Sequence, residues 1–245
     1  VSTFAPNDLV LVSPRYLAGG GMNKINDVIG PLVHLFTWRY EHNPRTGRID
    51  TDSPCGSVFL DFAPARQDGL WWTIAHHEPY WRFEFSWQTP SEAIASVAQA
   101  LPQLLGDRRH ADRIPLATES VSRLAKTSAW EAASILSGVA WASPDGHCTI
   151  EHSTDPMHPW RIEHSVYDGF DTHWSATFTP EVPERLVAQF FTHLATTTPV
   201  ERVFRDVPYF VQKLDEVLIT PVRGAAVNPH VHHAGAQLGR AVRHR

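Results

Sequence analysis

The sequence predicts an α+β protein, built as a tandem duplication of a unit with a four-stranded antiparallel sheet and a helix. Three observations predict it. Ser53-Pro54-Cys55-Gly56 aligns with Ser143-Pro144-Asp145-Gly146, and the flanks stay in register, with Val58, Leu60 and Asp61 over Cys148, Ile150 and Glu151. Short runs around both turns alternate apolar and polar residues with period two, as half-buried strands do. Each set of runs then leads into a Pro-plus-acid start and an apolar helical pattern, where the missing N–H costs nothing and the dipole favours negative charge.

The elements follow in chain order. After an N-terminal strand and a flexible Gly19-Gly20-Gly21 turn, a helix is predicted near Asn26–Phe36 and a strand around Thr37–Tyr40. Strands follow at Ser57–Phe62, Trp71–His76 and Trp81–Trp87, and Thr89-Pro90-Ser91-Glu92 opens a helix carrying Ile94, Val97, Ala98 and Leu101. Gly106–Ala117, rich in Arg, Asp and His, reads as a linker. The second copy predicts a helix near Ser120–Ser137, strands at Val139–Ala142, His147–His152, Trp160–Val166 and His173–Thr179, and a helix carrying Val187, Phe190, Phe191 and Leu194. Trp81, Phe85 and Pro90 align with Trp174, Phe178 and Pro183. The predicted organisation is residues 1–110 for the first repeat, 111–200 for the second and 201–245 for a C-terminal extension.

Composition bounds the function. Nine Trp and twelve Phe among 245 residues supply ample core, which excludes disorder as the main state. No apolar run approaches the roughly 20 residues of a membrane-spanning helix, so no membrane is expected. The net charge of −5 excludes a strongly basic duplex-coating protein. Charge is uneven, because no acidic residue follows Glu216 while Arg223, Arg240, Arg243 and Arg245 do. That basic tail reads either as a solvated terminal arm or as a contact with something anionic, nucleic acid or an acidic partner surface. Cys55 and Cys148 stand alone without a secretory signal, which predicts a reduced, cytoplasmic protein.

Four segments resemble a known family. They are Val10-Leu11-Val12-Ser13-Pro14-Arg15-Tyr16-Leu17-Ala18-Gly19-Gly20, His77-Glu78-Pro79-Tyr80-Trp81, Thr89-Pro90-Ser91-Glu92-Ala93-Ile94-Ala95 and Ser143-Pro144-Asp145-Gly146. They are similar to a streptomycete domain of unknown function labelled SPDY, which often occurs as two copies per chain. The resemblance covers about Leu9 to Val231 and implies no activity, catalytic residue or cofactor. A second, architectural resemblance is to the Whirly and Pur-alpha folds, which bind single-stranded nucleic acid on exposed sheet surfaces.

Catalytic motifs are missing: there is no phosphate loop and no nucleophile elbow. His230-Val231-His232-His233 and His76-His77-Glu78 lack reliable metal spacing, so no metal, no cofactor and no enzymatic activity are expected. Alternation assigns the sheet faces. Trp72, Ile74, Trp81, Phe83 and Phe85 point to the helix in copy one, as Trp160, Ile162, Trp174, Ala176 and Phe178 do in copy two. The opposite face carries Phe59, Trp71, Thr73, Arg82 and Glu84 in copy one and Thr149, Arg161, Glu163 and Thr177 in copy two, and either the other sheet or a partner covers Phe59 and Trp71. Phe59, Trp71, Thr73, Arg82 and Arg161, with Arg223, Arg240, Arg243 and Arg245, form the candidate nucleic-acid surface. The expected function is therefore binding of single-stranded DNA or RNA by aromatic stacking and arginine contact. The alternative is a protein-interaction or self-assembly module, and a homo-oligomer is expected under either reading.

Overall fold

The computed structural model describes residues 4–21, 24–167 and 172–222. Ten strands form one antiparallel sheet. In spatial order they are β2 (Arg39–Asn43), β3 (Arg48–Asp52), β4 (Val58–Phe62), β5 (Leu70–His76) and β6 (Trp81–Ser86). The order continues through β11 (Thr172–Phe178), β10 (Trp160–Ser165), β9 (Cys148–Ser153), β8 (Gly138–Ala142) and β7 (Glu131–Ile135). Each half is a five-stranded meander, one strand more than the four expected, and the two sheets are one.

The extra strands have physical causes. In the first half, Arg48-Ile49-Asp50-Thr51-Asp52 alternates correctly but is mostly polar, so it resembles a loop; Ile49 and Thr51 nonetheless face the core opposite Phe62 and Leu60. In the second half, the helix expected over Ser120–Ser137 stops as α3 (Val121–Thr127). Ala129 takes φ 58° and reverses the chain, and pairing with β8 draws Glu131–Ile135 into a strand despite its alanines. Gly138 follows the hairpin, where a Cβ would lie 2.0 Å from the His152 carbonyl oxygen.

The corresponding turns are built alike. Ser53 N–H donates to the Val58 carbonyl at 2.8 Å and Ser143 N–H to the Cys148 carbonyl at 2.8 Å. The Ser53 and Ser143 hydroxyls accept from the Val58 and Cys148 amides at 3.0 and 2.9 Å. Trp72 stands opposite Phe62 and Phe85, as Trp160 stands opposite His152 and Phe178. The halves meet where β6 pairs with β11. There Glu84 faces Thr177, its counterpart in the aligned sequence, and Phe83 and Phe85 face Phe178 and Ala176. A local pseudo-twofold axis thus passes between Glu84 and Thr177.

The four α-helices among the described residues lie on one side. α1 (Ile25–Phe36) packs on α2 (Ser91–Leu104), α2 on α4 (Glu184–Ala195), and α4 on α3. Leu186, Val187, Phe190, Phe191 and Leu194 of α4 are all buried, and the Phe190 ring stacks on Phe85 at 5.3 Å, tying the halves together. None of the described helices is long and apolar enough to cross a membrane.

A second sheet places β1 (Leu9–Ser13) between β12 (Val200–Val203) and β13 (Leu218–Pro221). The stretch beyond residue 200 therefore shares hydrogen bonds with the N-terminus. Fully buried Arg202 locks this sheet to the body. It donates to the Ala18, Gly19 and Glu201 carbonyls at 3.1, 3.0 and 2.8 Å and grips the Glu92 carboxylate of α2. A Cβ at Gly21, where φ is 60°, would sit 2.9 Å from the Arg202 Cζ. The glycine run expected as a flexible turn is thus a cradle for an arginine.

Candidate interaction face

One face of the ten-stranded sheet carries the helices, and the described residues place no helix on the other. Strand register sets Glu41, Asp50, Asp61, Thr73 and Glu84 side by side across the first half. The row continues through Thr177, Arg161, Glu151, Ala140 and Ala133 across the second.

Five Arg-x-acid strings supply most of the charge on this side of the molecule: Arg39/Glu41, Arg48/Asp50, Arg66/Asp68, Arg82/Glu84 and Arg161/Glu163. Four of the strings lie in strands, where residues two apart share a face and a long guanidinium reaches the acid beside it, and Arg66/Asp68 lies in the loop between β4 and β5. Each string closes into an ion pair. The distances are 2.9 Å for Arg48–Asp50, 2.5 Å for Arg66–Asp68, 3.1 Å for Arg82–Glu84 and 2.5 Å for Arg161–Glu163, and Arg39 also contacts Glu41. Arg48 reaches Asp61 as well at 3.0 Å, and Arg66 reaches Glu84 at 3.6 Å. Partial burial pushes the Asp61 carboxyl above its ordinary range, with Asp50 adding to the shift and Arg48 opposing it.

Of the predicted site residues, Phe59, Thr73, Arg82 and Arg161 share this face without forming one cluster. Thr73 is buried beneath Arg66, whose Nη1 donates to the Thr73 hydroxyl at 3.2 Å. Arg82 is held by Glu84, and its Nε is buried without a hydrogen-bond partner. Trp71 sits at a β-bulge at one end of β5, half-buried against Trp87 and Phe62 with ring centroids 5.6 and 6.2 Å away. Phe59 lies toward the other end, opposite Ala75, with its ring 5.5 Å from His77. Arg161 belongs to the second half, where it borders a basin of about 380 Å³ with Glu151, Asp155, His158 and Thr177. Arg223, Arg240, Arg243 and Arg245 lie outside the described residues.

The two half-sheets join edge to edge, so neither covers Trp71, which packs against the core at Phe62 and against Trp87 at the rim. Alternation placed Glu84 and Glu163 on this face without pairing them with Arg82 and Arg161, while Arg48, Arg66, Asp50 and Asp68 escaped the sequence reading, although the repeated Arg-x-acid spacing announces them. The described residues include no group of three or more His, Cys, Asp or Glu able to hold a metal ion.

With this geometry in place, comparison with known proteins gives one match. The SPDY domain, a domain of unknown function (DUF317), matches residues 52–103 and again residues 142–200. This chain carries two SPDY domains. No curated protein and no solved structure matches it. The first SPDY match takes in β4, β5, β6 and α2, and the second takes in β9, β10, β11 and α4. The two SPDY matches thus contain the strands that meet at the pseudo-twofold axis. They also contain Thr73, Arg82, Glu84, Arg161 and Glu163 of the open face.

Proposed function

We propose that this two-SPDY chain is a non-enzymatic protein-interaction module that docks a partner on its helix-free sheet face. The observation that carries this reading is the closure of all five Arg-x-acid strings into ion pairs. A phosphate backbone would have to displace a carboxylate from each arginine it used, on a face where acids outnumber arginines. A protein surface can satisfy both members of each pair. Trp71 and Trp87 at the rim, the latter 44% exposed, are the kind of aromatic anchor that dominates such contacts.

Binding of single-stranded nucleic acid remains the second reading. Its support is the charge of residues after Glu216, which carry Arg223, Arg240, Arg243 and Arg245 and no acid.

A photo-reactive amino acid at Thr177 or Thr149 of the full chain, introduced in the native host, tests the first reading. The expected result is a protein cross-link lost in Glu163→Arg with thermal stability unchanged. Labelled single-stranded DNA and RNA across a salt series test the second. Oligonucleotide binding that Trp71→Ala with Arg82→Ala weakens tenfold or more, while stability holds, would overturn the protein-docking reading. Binding that disappears only on deletion after Gly224 would assign nucleic acid to the tail and leave the sheet face to a protein.

A further inference from the structure

We propose that two copies of this chain pair through β7, antiparallel and centred on Ala133, so that two ten-stranded sheets become one of twenty strands. The inference is independent of what the open face binds.

β7 and β2 are the two edges of the sheet, and they differ in chemistry. β2 reads Arg39-Tyr40-Glu41-His42-Asn43 and is exposed throughout. Pairing it with itself about its centre would set Glu41 against Glu41, a like-charge contact of the sort that guards natural edges. β7 reads Glu131-Ala132-Ala133-Ser134-Ile135, with its first four residues exposed and no proline, lysine or arginine to guard it. Fully exposed Leu136 follows at the hairpin tip.

The hydrogen-bond phase of β7 suits a copy of itself. Ile135 faces Gly138 across the two-residue loop Leu136-Ser137, and that closing pair is a hydrogen-bonded one. Alternation then turns the amides and carbonyls of Ala132 and Ser134 outward, and among the described residues no strand pairs with that side. In a pairing centred on Ala133, Ala132 meets Ser134 of the partner subunit, so the outward-facing groups match one another. Glu131 meets the partner's Ile135, so no like charges oppose. Leu136 comes to lie beside the partner's Trp130, gaining cover it lacks in the single chain. The chain already joins its own halves this way, through antiparallel strands whose equivalent residues Glu84 and Thr177 face each other. Because the contact is isologous it closes at two copies, and the guarded β2 edges end the sheet.

Sedimentation velocity of the full chain over a concentration series should give a dimer. Ala133→Lys and Ala133→Glu, each at an exposed position, should separately shift the protein to monomer, because the register sets residue 133 against itself. Mixing the two variants should restore a dimer containing one of each, read by native mass spectrometry. Glu41→Lys on the opposite edge should leave the dimer intact. A monomer at all concentrations, a dimer that both residue-133 variants leave unchanged, or variants that fail to recombine would each overturn the proposal.

Discussion

The two SPDY domains share a scaffold and differ in what they are tied to. Their helix-facing tryptophans, their Ser-Pro-x-Gly turns and their strand registers correspond position for position. The turn of the second domain faces inward: Asp145 accepts from the hydroxyls of Ser143 at 2.5 Å and Tyr16 at 2.8 Å, and from the His147 amide at 3.1 Å. The aligned residue of the first domain, Cys55, is exposed and touches only Ser53 and Ser57. Trp174 likewise donates its Nε1–H to the Tyr16 carbonyl at 2.9 Å, while Trp81 stacks between His76 and Phe83. The N-terminal segment thus fastens onto the second domain. The first keeps the charged rows of the open face, which give way to Ala140 and Ala133 in the second. A core shared by two copies has left each free to specialise on the surface it does not share.

Truncating the paired tryptophans gives the largest effect that could break this comparison. Trp81→Ala and Trp174→Ala should each destabilise by about 3–5 kcal/mol, since both are almost fully buried. Trp174→Ala should cost about 1 kcal/mol more, because it also releases the Tyr16 carbonyl. Urea denaturation measures both. Equal losses would mean that the N-terminal clasp contributes nothing to the asymmetry.

The sequence made much of this fold legible, for reasons that also explain the omissions. β4 to β6 and β9 to β11 were readable because Trp, Phe and Ile alternate with polar residues across them. β3 and β7 were hidden because Asp50 and Asp52 mimic a loop, and Ala132 and Ala133 mimic a helix. The single sheet could not be read locally. Nothing in Phe83 or Phe178 alone says that β6 and β11 pair. For the site, alternation set Arg82 and Arg161 in line with the helix-free row but did not say what they would touch, and it breaks at the β-bulge that carries Trp71, which packs against the core. The acids two residues on, Glu84 and Glu163, were already on that face by alternation; that each would close on its arginine was the step not taken.

The next effect separates the domains by pH. His164 and His76 occupy corresponding strand positions, opposite Cys148 and Val58. His76 is half-buried with Nδ1 at 2.9 Å from the Pro79 carbonyl, whereas His164 is fully buried with neither ring nitrogen hydrogen-bonded. Burial, then His173 and His147, lowers the His164 pKa from 6.5 to about 3. The unfolded chain therefore takes up a proton near pH 6.5 that the folded chain refuses. Stability from this group is complete above pH 6.5 and declines as pH falls toward 3. Half-buried His193, lowered to about 4 by desolvation and then Arg15, acts in the same direction. His164→Leu should remove about 2–3 kcal/mol of the stability lost between pH 7 and pH 4.5. Identical pH profiles for wild type and His164→Leu would remove His164 as a source of the difference.

The smallest effects lie in the turns and sharpen the contrast most directly. Asp145→Ala strands the buried Tyr16 hydroxyl and should cost about 1–3 kcal/mol, while Cys55→Ala on the exposed turn should change stability by less than about 0.5 kcal/mol. The two thiols should differ equally clearly in reactivity. The Ser53 hydroxyl and then Ser57 lower the Cys55 pKa from 9.0 to about 7, whereas complete burial raises that of Cys148. Because the thiolate is the nucleophile, an alkylating reagent near neutral pH should modify Cys55 in the folded chain and reach Cys148 only on unfolding. Ser57→Ala removes the closer hydroxyl, 3.0 Å from the sulfur, and should move the midpoint of the Cys55 rate–pH profile upward. A wild-type midpoint near 9.0 would mean that the serines do not stabilise the thiolate. The Cys55 turn would then differ from the Asp145 turn only in what it lacks.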